Sequence, residues 1–242
     1  MSMGTLYGVG IGPGDPELVT VKAARLIGEC PHLFTPKARV KSESVARAIV
    51  ERYVKDHTVV HELVFPMVND EAALSKAWEE SARAIAAVLS RGEDACFVTL
   101  GDALLYSTYI YLIRALKDVL PEARVVTVPG VTAFSAVAAL TSFPVGMGKE
   151  RVTIIPAAED MEELREALRG GGVVILMKVG KKLPQALEAL EEFSVMGEAV
   201  FVAHAGMENQ VIETDLRRLK GSGEAMGYLS TILVRAGEGR RR

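Results

Sequence analysis

The segment Thr5-Leu6-Tyr7-Gly8-Val9-Gly10-Ile11-Gly12-Pro13-Gly14-Asp15-Pro16-Glu17 decides how the rest of the chain is read. A short apolar run with strand character opens it, and glycines then recur at alternate positions from Gly8 to Gly14. Asp15 suits a helix N-cap, Pro16 the first helical position, and Glu17 the positive end of the helix dipole. A turn stripped of side chains lets backbone approach a ligand closely. A strand that feeds a helix through such a turn is the opening of an α/β unit. The register is not that of a dinucleotide site, because neither Gly8-x-Gly10-x-x-Pro13 nor Gly10-x-Gly12-x-x-Asp15 completes GxGxxG. A phosphate-binding GxxxxGKS/T is also absent.

The same alternation continues outward from this segment. Strand-like runs occupy 5–10, 59–65, 95–100, 124–128, 152–155, 173–177, 199–203 and 229–234, and helix-like stretches fall at 16–28, 74–90, 107–119, 133–139, 161–169 and 182–192. That order predicts an α/β protein built on largely parallel sheets flanked by helices. Within 74–90, Leu74, Ala77, Trp78, Ser81, Ala84, Ile85 and Val88 share a helical face that is expected to pack on the core. Gly146 to Lys149 precede a new strand and read as a hinge, which predicts an N-terminal domain over 1–146 and a smaller C-terminal one over 147–242.

Composition narrows the function classes. The 242 residues are 49% hydrophobic, and 28 basic against 31 acidic side chains leave a net charge of −3. Collagen-like, disordered and disulfide-scaffold classes are thereby excluded. Near-neutral charge gives no broad attraction for a polyanion, so neither nucleic acid nor an anionic membrane is an expected partner. No apolar run approaches the roughly 18 residues of a membrane span, and the N-terminus has no signal-like pattern. Cys30 and Cys96 form no metal-ligand spacing, so a reduced, cytoplasmic setting is expected. The Gly239-Arg240-Arg241-Arg242 end reads as a solvated tail.

Two further strand-to-helix turns stand out. In Phe97-Val98-Thr99-Leu100-Gly101-Asp102-Ala103-Leu104-Leu105-Tyr106-Ser107-Thr108, a buried strand ends in Gly-Asp before a hydroxyl-rich helix start. Asp102 could accept hydrogen bonds from a ribose or an amine, or simply open the turn while Ser107 or Thr108 caps the helix. In Val128-Pro129-Gly130-Val131-Thr132-Ala133, Thr132 stands at the N-cap position of a helix of small residues. Met177 and Gly206 end the corresponding strands of the second half. His57 and His61 sit on a strand-like stretch too far apart to chelate together, so no metal site is expected, and no Ser-His-Asp arrangement stands out. Lys22, Arg25, Lys37, Arg39, Lys41, Lys149, Arg151, Lys178, Lys181 and Lys182 cluster near strand ends, where they could receive carboxylates or remain solvated.

The three loops together, Val9 to Thr20, Gly101-Asp102 and Pro129-Gly130-Val131-Thr132-Ala133, resemble the tetrapyrrole (corrin/porphyrin) methyltransferase family of S-adenosylmethionine-dependent enzymes. Glu62 to Met67, the stretch on to Trp78-Glu79, Leu105 to Tyr111 and Tyr228 to Val234 look like those members that act on carbon 20 of precorrin-2 or cobalt-precorrin-2. The resemblance implies two α/β domains with S-adenosyl-L-methionine in the cleft between them, a homodimer, and S-adenosyl-L-homocysteine as product. It places Pro13, Leu100, Gly101, Asp102, Leu105, Thr132, Ala133, Met177 and Gly206 at the cofactor, and leaves Tyr106 and Lys37 as candidates for the tetrapyrrole. Ala103 replaces the proline common after Gly-Asp. Phe34-Thr35-Pro36-Lys37 fills the region where uroporphyrinogen methyltransferases place an acidic residue, so no catalytic base is carried over. Competing readings are a relative that methylates another tetrapyrrole carbon or a diphthamide precursor, a non-catalytic tetrapyrrole or nucleotide carrier, and a nicotinamide oxidoreductase.

Overall fold

The computed structural model describes residues 2–39, 43–66, 70–156, 161–221 and 228–237, so Lys41, Met67 and the arginine tail lie outside the described residues. The chain divides into two compact units, 1–132 and 133–242. The first contains β1 (Thr5–Gly10), α1 (Val21–Glu29), β2 (His32–Lys37), α2 (Val45–Val50), β3 (Val59–Val64), α3 (Glu71–Leu89), β4 (Ala95–Thr99), α4 (Tyr109–Val119) and β5 (Arg124–Val128). Its sheet runs β3-β2-β4-β1-β5, and every neighbouring pair is parallel.

Side-chain alternation on β4 shows how the helices are distributed. The thiol of Cys96 lies against Leu26 of α1, whereas the ring of the next residue, Phe97, stacks on Tyr109 of α4 with centroids 5.9 Å apart. Successive strand residues face opposite sides, so α1 and α4 cover opposite faces. The neighbours β1 and β4 therefore send their following helices to different sides. At such a switch point, the carboxyl ends of the strands part and leave a crevice open to ligands. Tyr109 is fully buried, with its hydroxyl 3.0 Å from Thr127 Oγ1. A Cβ on Gly8 would collide with its ring, so this glycine makes room for core packing.

Several sequence expectations change in detail. The helix expected over 16–28 is broken: Asp15 caps only the 3-10 turn Pro16–Leu18, and Thr20 Oγ1 accepts from Ala23 N to start α1. Val19 between them is extended and buried, which ends the first turn. On α3, Ala84 faces solvent while Ala82, Ala86 and Leu89 take buried places beside Ser81, Ile85 and Val88. Trp78 of α3 stacks on Tyr111 of α4 at 4.7 Å. The strand β2 and the helix α2 were not anticipated. Pro36, an argument against a central strand, lies beyond the β4 ladder, which ends at Phe34, and pairs only toward β3.

The second unit contains α5 (Ala133–Thr141), β6 (Val152–Pro156), α6 (Met161–Gly170), β7 (Gly172–Met177), α7 (Leu183–Glu192), β8 (Ala199–Ala203), β9 (Val211–Glu213) and β10 (Ser230–Ala236). Its sheet runs β6-β7-β10-β8-β9. Here the expected parallel pairing holds only for β6 and β7: β10 is antiparallel to both β7 and β8, and β9 is antiparallel to β8. Thus β6, β7 and β8 share a direction and β10 is inserted against them. A fully buried strand carries no pattern that reveals its direction. Leu164, Leu168, Leu187 and Leu190 of α6 and α7 pack on Val174, Leu176, Phe201 and Ile232.

The stretch read as a hinge is held within this unit. Arg235 of β10 binds both Glu150 carboxylate oxygens at 2.8 and 2.9 Å, donates to Pro144 O at 2.7 Å, and lies over the Phe143 ring. α5 also packs on β8 and β10, so the compact second unit begins at Ala133 and includes this stretch.

One titratable cluster links β2, β3 and the start of β4. His61 stacks on Phe34 at 4.5 Å, and its Nε2 lies 3.0 Å from His32 Nδ1. His32 Nε2 in turn lies 3.2 Å from Glu93 Oε2, which also accepts from Arg91 at 2.8 Å. Burial, reinforced by His32 and Arg91, holds His61 below the ordinary value of 6.5. The Arg91 hydrogen bond likewise lowers Glu93. In both cases the unfolded chain binds the proton first, so stability is full at neutral pH and declines as pH falls through 6.5. The Glu93 contribution disappears at lower pH. Urea unfolding is expected to show this slope, and His61→Gln is expected to flatten its upper part. An equally steep decline in the variant would refute the assignment.

Candidate functional site

The segments that follow β1 and β4 are joined backbone to backbone. Ile11 N donates to Thr99 O at 3.0 Å, and Gly12 and Gly101 exchange hydrogen bonds of 3.2 and 2.7 Å in an isolated antiparallel bridge. Both glycines have positive φ, +79° and +67°, which ordinary side chains resist. The third loop is drawn in by Asp102, whose Oδ2 accepts from Gly130 N at 3.0 Å while Oδ1 accepts from Leu104 N at 2.9 Å. A Cβ on Gly10 would lie 2.6 Å from Gly130 N and 2.8 Å from Gly101 O. Gly10 and Gly12 of the opening segment therefore serve loop-to-loop contact, in addition to the ligand approach that the sequence predicts for this turn.

The expected site residues differ in exposure. Pro13 and Gly101 are buried, and Leu100, Asp102, Leu105 and Thr132 are half-buried. Ala133 is the half-buried first residue of α5. The turn after Asp102 closes without the missing proline, because the Leu104 N–H bond to the carboxylate fixes it. Ser107 Oγ accepts from Tyr109 N at 3.0 Å, so Ser107 supplies the helix-start contact left open between it and Thr108. Tyr106 is 40% exposed and adopts φ +51°, a strained setting for an aromatic residue. Lys37, at the end of β2, is not a bare cation: its Nζ donates to Glu62 Oε2 at 2.6 Å. Lys22, Arg25, Arg39, Lys149, Arg151 and Lys182 are exposed, and Arg25 pairs with Glu29.

In the second unit, Met177 is the buried last residue of β7, and Gly206, with φ +77°, follows β8 and donates to Gln210 Oε1 at 2.7 Å. Two residues beside them carry left-handed backbone. Lys178 and His204 directly follow β7 and β8 and hold φ of +58° and +52°. Lys178 Nζ lies 5.2 Å from the Tyr228 ring centroid. Left-handed backbone at a non-glycine residue leaves no mark in sequence. For Gly130 the signal in the sequence is the proline-glycine step at a strand end.

A family model, Tetrapyrrole (Corrin/Porphyrin) Methylases, matches residues 5–220. The chain belongs to this family. Among curated proteins, this tetrapyrrole methylase is 33% identical over 231 residues to the cobalt-precorrin-2 C(20)-methyltransferase of Salmonella typhimurium, covering 96% of each chain. It is 32% identical to the precorrin-2 C(20)-methyltransferase of Sinorhizobium sp, covering 97% of this chain and 96% of the relative. Among solved structures, a cobalt precorrin-4 methyltransferase aligns with a TM-score of 0.76 at 19% identity, over 95% of this chain and 94% of that one. A uroporphyrin-III C-methyltransferase from Thermus thermophilus, complexed with S-adenosylhomocysteine, aligns at 0.65 and 19% identity over 98% and 99%. These structures share the two-domain fold.

A tetrapyrrole methylase must hold a methyl donor and align a nucleophilic carbon with it. The first unit offers chemistry suited to an adenosyl donor. Each Asp102 oxygen accepts one backbone N–H, and a carboxylate oxygen has a further lone pair for a ribose hydroxyl. Leu100 and Leu105 present partly exposed apolar surface beside it. Among the described residues, no helix is long and apolar enough to cross a membrane.

Proposed function

We propose that this methylase transfers a methyl group from S-adenosyl-L-methionine to carbon 20 of precorrin-2 or cobalt-precorrin-2, as a cytoplasmic homodimer in cobalamin biosynthesis. The observation that carries the reading is end-to-end similarity to relatives named for carbon 20, covering 96% of both chains in the first case. Both a cobalt and a metal-free substrate occur among those relatives' names. The carrier and nicotinamide readings have no comparable support.

Pro13, Leu100, Gly101, Asp102, Leu105, Thr132 and Ala133 are proposed to hold the donor, with Met177 and Gly206 of the second unit contributing. When bound, S-adenosylmethionine supplies an electrophilic methyl on a sulfonium. The protein's own part is to align and to exclude water. Asp102 anchors hydroxyl groups through its spare lone pairs, and the joined glycine loops fix that carboxylate without side-chain slack. Leu100, Leu105 and Ala133 provide low-polarity walls, which favour a step in which a localised positive charge is spread onto the tetrapyrrole, to be lost finally as the proton that the methylated carbon releases to solvent. No acidic or basic side chain is assigned to the reacting carbon.

Calorimetric titration with S-adenosylhomocysteine should show binding, and NADH should show none. Labelled donor incubated with precorrin-2 or cobalt-precorrin-2 should yield product methylated at carbon 20 by NMR. No label in either tetrapyrrole would overturn the proposal. Lys37 and Tyr106 are proposed to contact the substrate. Lys37→Ala should raise KM for the tetrapyrrole about tenfold, the worth of one charge-assisted hydrogen bond of about 1.5 kcal/mol, because Glu62 is also left unpaired. Tyr106→Phe should raise it less. S-adenosylhomocysteine affinity should not move, and unchanged KM in both variants would remove them from the substrate site.

A further inference from the structure

We propose that Cys30 and Cys96 form a redox-convertible pair, a dithiol in the resting protein that a hydroperoxide closes into a disulfide tying α1 to β4. The two residues stand 66 positions apart, yet their sulfurs lie 3.1 Å from each other. Cys30 is the C-cap of α1, and Cys96 is the second residue of β4 on the face that α1 covers. The Cys96 thiol donates to Cys30 Sγ and, at 3.4 Å, approaches Leu26 O. Both side chains are buried. Packing as two small apolar groups explains burial but does not require the sulfurs to meet.

The chemistry has a direction. The hydrogen bond to Cys30, together with burial, pushes the Cys96 thiol far above the ordinary range, so it stays protonated. Cys30 sits at a helix end next to exposed Glu29 and half-buried Pro31, the place where a small opening admits solvent. A hydroperoxide transfers one oxygen to the Cys30 sulfur, giving a sulfenic acid and the alcohol, or water from hydrogen peroxide. Cys96 sulfur then attacks Cys30 sulfur. The S–S bond forms, the S–O bond breaks, and hydroxide leaves with the Cys96 proton as water. Two thiols are oxidised by two electrons and one peroxide is reduced. The cross-link joins the helix that follows the Pro13 loop to the strand that ends at Gly101-Asp102. It restrains the unfolded chain and raises stability without a new contact in the folded state.

The test uses the full chain in native buffer. Reduced protein is exposed to hydrogen peroxide, quenched with an alkylating agent in denaturant, and weighed intact. The expected product has lost the mass of two hydrogen atoms, takes up no alkyl group, yields a linked Cys30–Cys96 peptide, and melts several degrees higher until dithiothreitol reverses it. Cys96→Ala should leave Cys30 as a sulfenic acid that dimedone traps. Two alkylated thiols after peroxide, or a sulfinic acid on one cysteine beside a free partner, would overturn the proposal even if the variant fails to fold.

Discussion

Gly130→Ala is expected to destabilise the fold by about 3 kcal/mol and to abolish detectable S-adenosylhomocysteine binding. The added Cβ would run into Gly101 O and stand 2.6 Å from Gly10 C and 2.8 Å from Gly10 Cα. Every obstacle is backbone, so no side chain can swing aside. The three loops must separate, and the Asp102 contact to Gly130 N opens with them. Gly10→Ala meets the same wall from the other side and should behave alike. Gly197→Ala is the matched control, because nothing lies within 4 Å of its added Cβ. Urea unfolding and calorimetry measure the two effects separately. Wild-type affinity in Gly130→Ala would show that the loop contact does not shape the donor site.

The prominence of these glycines in the sequence explains which parts of the protein could be read early. Alternating glycines at a strand end are visible because few structures need them, and Gly101-Asp102 and Pro129-Gly130 repeat the signal at the other strand ends. What the glycines do was not visible. Their contacts join residues about 90 and 120 positions apart, and only the fold brings Gly10 to Gly101 and Gly130. The same limit hid the meeting of Cys30 with Cys96, the His32, His61 and Glu93 cluster, and the pairing of Lys37 with Glu62. The strand β2 was hidden for a local reason, since Pro36 reads as a breaker until its place beyond the β4 ladder is known. The antiparallel insertion of β10 left no trace because Ser-Thr-Ile-Leu-Val is apolar or small on both faces. Apolar runs therefore located the buried strands, periodicity located the helices with a one-sided face, and the candidate loops were legible where glycine marked them.

Asp102→Ala carries the second large effect. It leaves Gly130 N and Leu104 N without their acceptor, which should lower stability by about 2 kcal/mol and weaken S-adenosylhomocysteine binding about a hundredfold. Asp102→Asn separates the two roles of the carboxylate. An amide presents one oxygen and one N–H₂, so it can accept from either Gly130 N or Leu104 N but turns a donor toward the other. Stability should recover partly, while binding stays weak because no arrangement restores two acceptors at the loop junction. The double variant Asp102→Ala with Gly130→Ala gives the sharper result. Once the Gly130 loop has been pushed away, its N–H no longer sits at the carboxylate, so removing Asp102 should add much less than its effect in the wild-type background. Full additivity in that cycle would mean that Asp102 acts on the donor independently of the third loop, with the glycine contact serving folding alone.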